Sequence, residues 1–141
     1  MNFGEGRDHF TICSVSTPMG YGGISVIRVS GRHAFEITQK SLKKKNRTFE
    51  SHKAFLDEFL NTQTLKSIDE VLVLPFEAGK SFTGERVVEI SCHGSPVICT
   101  AILNELCRNG AELAINGEFT YRAFMNDRLD LVQAESILSL I

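Results

Sequence analysis

The order in which strand-like and helix-like segments follow one another most restricts how these 141 residues can fold. Alternating apolar and polar residues predict strands, and apolar residues that recur every three or four positions predict helices. The two kinds of segment do not alternate strictly, which favours an α+β fold with one largely antiparallel sheet covered by helices. The predicted strands are 10–16, 24–30, 51–60 (a segment that is also compatible with a helix), 69–75, 86–92 and 111–115, and the predicted helices are 32–43, 96–108 and two that lie between 117 and 141.

Two charged residues stand inside predicted strands. Arg28 falls on the same side of its strand as Ile24 and Val26, so it lies either at the edge of the core or in a pocket. Glu89 alternates with Val88, so its carboxylate is either solvated or positioned to accept hydrogen bonds from a ligand. The long apolar run of strand 69–75 is typical of a strand in the middle of a sheet.

A third charged residue, Arg128, lies at a predicted joint between two helices. The first helix contains Phe119 and ends where Asn126-Asp127 breaks the pattern. Asp130 and Gln133 have the spacing of a capping box and predict the start of the second helix. The cation is therefore either directed at a ligand or is an ordinary surface arginine in a turn.

Composition excludes several classes of protein. The net charge is −2 and the isoelectric point about 6.1, which gives no overall electrostatic argument for nucleic-acid binding. The lysines 43–45 indicate a helix C-terminus more than a nucleic-acid patch. No apolar run approaches the roughly 20 residues of a membrane-spanning helix. Residues 1–8 resemble a short flexible polar leader without the apolar region of a secretory signal.

Three further patterns fall short of known sites. Gly79-Lys80-Ser81 resembles the end of a phosphate-binding loop, but the loop's first glycine is replaced by Leu74. Cys92 is adjacent to His93 and points the other way, so the two do not form a nucleophile–base pair. The cysteines lack zinc-site spacing and are predicted to be reduced thiols; they are Cys13, Cys92, Cys99 and Cys107.

Three blocks of the sequence together resemble the N-terminal domain of the MnmE (TrmE) family of tRNA-modifying GTPases. They are residues 22–31, 81–94 and 117–135, in the order and spacing of the family, and the resemblance covers the chain from about Asp8 onward. The sequence departs from the family pattern at Ile115-Asn116 and at Ser95. These departures lie beside the motifs and affect loop geometry more than ligand binding.

The resemblance implies a fold like the tetrahydrofolate-binding domain of aminomethyltransferase. It implies binding of 5-formyl-tetrahydrofolate or 5,10-methylene-tetrahydrofolate by Arg28, Glu89 and Arg128, and a homodimer. The family's full-length proteins are cytoplasmic, act with an FAD-dependent partner protein and modify C5 of the wobble uridine of tRNA. Their GTP, potassium and magnesium sites belong to a GTPase domain that these residues do not include, so this chain alone is expected to be catalytically inactive.

The implied domain organisation is a leader over 1–8, a folate-binding and dimerisation domain over 9–120, and a helical segment over 121–141 that leads into the helical and GTPase domains of the family. Two other functions remain open at this stage. One is a stand-alone folate-dependent one-carbon transferase, and the other is a dimerisation module without a ligand.

Overall fold

A computed structural model describes residues 6–17 and 23–139. It confirms the predicted α+β class, with helices packed on a mostly antiparallel sheet. The glycine- and proline-rich residues 17–23 predict a turn between the first two strands, and they lie almost wholly outside the described residues. Within them the elements are β1 Ile12–Val15, β2 Ile24–Ser30, α1 Ala34–Gln39, β3 Phe55–Leu60, β4 Ser67–Phe76, β5 Val87–His93, α2 Pro96–Arg108, β6 Glu112–Leu113, α3 Glu118–Met125 and α4 Leu131–Leu138.

The strands form one sheet in the order β3-β4-β5-β2-β1-β6. Every neighbouring pair is antiparallel except β1 and β6, which run parallel. The pairing of β2 with β5 places Arg28 directly opposite Glu89, although 60 residues separate them in the sequence. The sheet therefore positions the two charged strand residues before any side-chain contact is considered.

Helices α1 and α2 cover one face of the sheet and enclose the main core. Strand residues pointing to this face are fully buried, among them Ile27, Val73 and Ile90. The helix α2 begins as the sequence predicts, because the Ser95 hydroxyl accepts a hydrogen bond from the N–H of Ile98 and Pro96 occupies the first turn. The other face of the sheet is covered only in part.

Strand β4 lies inside the sheet, as its apolar run predicts, with β3 and β5 as its neighbours. Its apolar run is buried on only one face, since Val71 and Val73 are inaccessible while Leu72 is 40% exposed. An apolar run alone does not distinguish a strand covered on both faces from one whose second face is open.

Helix α1 is shorter than its predicted range of 32–43. The chain leaves the helix after Gln39 because the following residues pair with β3, with the N–H of Lys43 donating to the Glu58 carbonyl. Lys43 forms an ion pair with Glu58 at 3.0 Å, and Lys45 Nζ donates to the carbonyl oxygens of Lys40 and Leu42. Two of the three lysines are thus engaged within the fold, but the helix ends at Gln39 with no basic residue in its last turn, so the prediction that they form the end of the helix is wrong.

Helix α4 begins with the predicted capping box, in which Asp130 and Gln133 bond each other's backbone N–H groups. The predicted boundary between residues 120 and 121 falls inside α3. No helix in the described part of the chain has both the length and the apolar character to cross a bilayer.

Candidate ligand site on the open sheet face

Arg28 and Glu89 form a cross-strand ion pair on the sheet face opposite α1 and α2. Arg28 donates from its terminal NH2 and from Nε to Glu89 Oε2, at 3.1 and 3.4 Å. The side chains are 20% and 26% exposed, respectively. A carboxylate held at this depth remains accessible to a ligand while its attraction for a donor is only partly screened by water.

Two aromatic rings border this ion pair. The guanidinium carbon of Arg28 lies 5.0 Å from the ring centroid of Phe82 and 5.5 Å from that of Phe119. Phe82 comes from the connection between β4 and β5, and Phe119 from the first turn of α3. Both distances are within the range of cation–π attraction. The site thus combines a carboxylate with two flat apolar surfaces.

Arg128 lies at the helix joint, as predicted, and is held by the 79–84 loop. Its NH1 donates to the Gly79 carbonyl at 3.3 Å, and its Cγ lies close to Gly84. Within the described residues, no recorded contact joins it to Arg28 or Glu89. Two of the three predicted site residues therefore meet directly, while the third is attached to the loop that carries Phe82.

A buried ionic network attaches this loop to α3. Arg122, 4% exposed, donates from NH1 to both carboxylate oxygens of Glu85, at 3.0 and 3.2 Å. Glu85 also accepts from the Ser30 hydroxyl at 2.9 Å, and Asn126 donates to the Thr83 carbonyl at 2.9 Å. The network fixes the positions of Phe82 and Phe119 relative to each other and to β2.

The same network continues to the N-terminal segment. Arg7 donates to both carboxylate oxygens of the buried Glu118, at 2.8 and 2.9 Å, and its carbonyl accepts from Arg122 at 2.8 Å. Burial raises the pKa of Glu118, but the hydrogen bonds from Arg7 and from the N–H of Ile115 outweigh it and hold that pKa below its ordinary value. Arg7, which belongs to the predicted leader, is thus anchored to α3.

The sequence did not predict this network, whose members are Glu85, Glu118, Arg122 and Arg7. A usable signal was present, since Glu118 and Arg122 are four residues apart in a short helix that also carries apolar side chains. That spacing cannot reveal burial or the partner Glu85, which lies 37 residues away. The charged residues of the sequence motifs therefore form two groups. Arg28 and Glu89 border the site, whereas Glu85, Glu118 and Arg122 support the elements around it.

Beyond the ion pair, the open face carries exposed apolar side chains beside the exposed carboxylate of Glu70. Ile24, Leu56 and Leu72 come from three strands of the sheet and are 69%, 62% and 40% exposed. They border one shallow cavity together with His93, whose Nδ1 lies 2.8 Å from Asp69. The three apolar side chains are hereafter called the open apolar patch.

The other predicted features do not build a second site. The described cysteines are all free thiols, and the closest recorded approach between them is 3.9 Å, between the sulfur atoms of Cys92 and Cys99. Across residues 6–17 and 23–139, no group of three His, Cys, Asp or Glu side chains is arranged to hold a metal ion.

Comparisons with known proteins find one family. Residues 11–128 match the family model described as GTP-binding protein TrmE N-terminus. Similar curated relatives carry the name tRNA modification GTPase MnmE. The protein of Bdellovibrio bacteriovorus is 58% identical over 135 residues, or 96% of this chain. Those of Fervidobacterium nodosum and Acetivibrio thermocellus are 42% and 45% identical over 98% and 93% of it. The chain spans only 28–30% of the length of these relatives.

Proposed function

Because this chain belongs to the family described as GTP-binding protein TrmE N-terminus, we propose that it is the folate-binding, dimer-forming domain of a tRNA-modifying GTPase. The proposed ligand is 5-formyl-tetrahydrofolate or 5,10-methylene-tetrahydrofolate. The observation that carries the proposal is Glu89, a half-buried carboxylate bordered by Arg28 and its two aromatic neighbours.

The chemistry of a reduced folate suits these residues. The pterin ring presents an N–H and an amino group on one edge, and a carboxylate accepts such paired donors. The other end of a folate carries carboxylates, which favour arginine. We assign the pterin edge to Glu89 and the anionic end to Arg28 and Arg128.

The first prediction concerns ligand affinity. Glu89→Ala and Arg28→Ala should each weaken binding of 5-formyl-tetrahydrofolate by about 1–3 kcal/mol, because each removes a charged hydrogen-bonding partner. Isothermal titration calorimetry measures this directly. Glu77→Ala is the matched control, since Glu77 forms an exposed ion pair with Arg86 elsewhere on the surface and should bind folate normally. Unchanged affinity in both site variants would refute the assignment.

The same titration separates the two alternative functions. Failure of the unmodified chain to bind any reduced folate would favour a dimerisation module without a ligand. Turnover of 5,10-methylene-tetrahydrofolate by the chain alone would favour a stand-alone one-carbon transferase.

We place the dimer interface on the open apolar patch. The resemblance implies a homodimer, and a two-fold axis lets one surface patch pack against its own copy. Leu56 and Leu72 are exposed opposite each other on β3 and β4, and Ile24 is exposed on β2, across the intervening β5. Burial of such side chains favours association. The occupant proposed for this face is therefore a second copy of the chain.

The second prediction tests that interface. Leu72→Glu should convert a dimer into a monomer, because each copy would bring an unpaired carboxylate into the apolar contact. Light scattering coupled to size-exclusion chromatography gives the mass. Leu113→Glu is the control, since Leu113 is similarly exposed, at 57%, but lies on β6 at the other edge of the sheet. A Leu72→Glu protein that remains dimeric would exclude this face.

The activity of the longer protein extends the proposal. Relatives of about three times this length are named tRNA modification GTPases, so we propose that this domain serves modification of C5 of the wobble uridine in the cytoplasm. GTP hydrolysis with magnesium and potassium, and an FAD-dependent partner protein, belong to that longer assembly. The contribution proposed for these 141 residues is to hold the one-carbon cofactor and to bring two copies together.

A further inference from the structure

We infer that Phe82, Phe119 and Glu89 form a slot for a flat heterocycle with an amidine-like edge, and that Arg28 fills this slot in the free protein. The inference rests on the proposed function, because it takes the reduced pterin of a folate as the natural occupant. It adds two binding residues, the phenylalanines, and gives Arg28 a different role before and after the ligand arrives.

The guanidinium of Arg28 has the shape and donor pattern of such an edge. It is planar and directs two N–H groups at one oxygen of the Glu89 carboxylate, Oε2, at 3.1 and 3.4 Å. Its carbon also lies over both rings, at 5.0 and 5.5 Å. The N–C–N edge of a pterin, with its ring N–H and amino group, offers the same donors on a flat body that can stack on aromatic rings.

The walls of the slot do not depend on Arg28. Thr83, next to Phe82, is tied to α3 through its carbonyl, which accepts from Asn126 at 2.9 Å. Glu118, next to Phe119, is buried and paired with Arg7 at 2.8 Å. The two rings are thus supported from behind by contacts that remain if the guanidinium moves away.

Because Arg28 must leave the slot, its removal is predicted to change the affinities of two ligands in opposite directions. A pterin that enters the slot must break the ion pair, so Arg28 opposes binding of the ring. The displaced guanidinium is then a free cation beside the ligand, so it favours a compound that also carries carboxylates. For a reduced pterin without the benzoylglutamate tail, Arg28 contributes only the cost of breaking its ion pair. For 5-formyl-tetrahydrofolate, it contributes both that cost and the attraction of its guanidinium for the carboxylates of the tail.

The experiment compares these two ligands by anaerobic calorimetry on the 141-residue chain, with 6-methyl-tetrahydropterin as the tail-free probe. Arg28→Ala should bind the tail-free pterin about three- to tenfold more tightly than the unmodified chain, and 5-formyl-tetrahydrofolate more weakly. Phe82→Leu and Phe119→Leu should weaken both ligands about three- to tenfold through loss of aromatic stacking. Phe76→Leu is the control, because Phe76 contacts the His52 ring at 5.0 Å instead, and it should bind both ligands normally. Circular dichroism melting confirms that each variant is folded.

The outcomes separate the slot from the proposed function. Equal weakening of both ligands by Arg28→Ala would make Arg28 a simple contact and overturn the inference. So would phenylalanine variants that bind like Phe76→Leu. An unmodified chain that binds the tail-free pterin but not 5-formyl-tetrahydrofolate would support the slot and refute the folate proposal. Binding of neither ligand would refute both.

Discussion

Arg122→Ala is expected to lower the free energy of unfolding by about 3 kcal/mol, the scale reported for removal of one partner from a buried ion pair. Arg122 is almost inaccessible, and its guanidinium donates to Glu85 and to the Arg7 carbonyl. Alanine leaves these acceptors without their shared cation in a place that water reaches poorly. Urea unfolding followed by circular dichroism measures the change.

Arg86→Ala is the matched control for this variant. Arg86 also forms a close ion pair, with Glu77 at 2.6 Å, but both side chains are about 40% exposed. Exposed pairs contribute up to about 1 kcal/mol, so this variant should unfold almost like the unmodified chain. Equal losses in the two variants would show that the buried network contributes no more than a surface pair.

Gly31→Ala is expected to destabilise the fold by about 2–4 kcal/mol. Gly31 has a φ of +145°, and an added Cβ would lie 2.6 Å from both Cα and Oγ1 of Thr11. The Thr11 backbone belongs to the segment that leads into β1 and cannot rotate away as a side-chain end would. The clash therefore requires β1 and the start of α1 to separate.

Gly79→Ala isolates the contribution of backbone conformation. Gly79 has a φ of +82°, and no atom lies within 4 Å of an added Cβ. This variant should lose about 1 kcal/mol from conformational strain alone. The two free energies of unfolding, measured in urea, give the cost of the steric clash by difference. A Gly31→Ala protein as stable as Gly79→Ala would mean that the Thr11 segment moves freely.

The sequence predicted the parts of the site that depend on local periodicity. Alternation placed Arg28 and Glu89 on defined strand faces, and the capping box of Asp130 and Gln133 placed Arg128 at a helix joint. The ion pair itself depends on the register between β2 and β5, which no local pattern specifies. The aromatic borders were missed for the same reason, since Phe82 and Phe119 reach Arg28 from segments 54 and 91 residues away.

The charges of the buried network were predicted least well. Glu85, Glu118 and Arg122 have the composition of a solvated surface, and exposure is the ordinary outcome for such residues. Their burial becomes favourable only when distant partners arrive together, because each carboxylate then meets a cation and backbone or hydroxyl donors. A single sequence shows which residues are present but not which of them meet in the folded protein.

Glu118 and Phe119 are consecutive residues of one helical turn with separate tasks. The first is clamped by Arg7, and the second faces Arg28 on the sheet. A helix bound at both positions cannot rotate about its axis without disturbing both contacts. Mutation of the Arg7–Glu118 pair would thus alter the geometry of the proposed folate slot, which couples the evolutionary constraints on the two sets of residues.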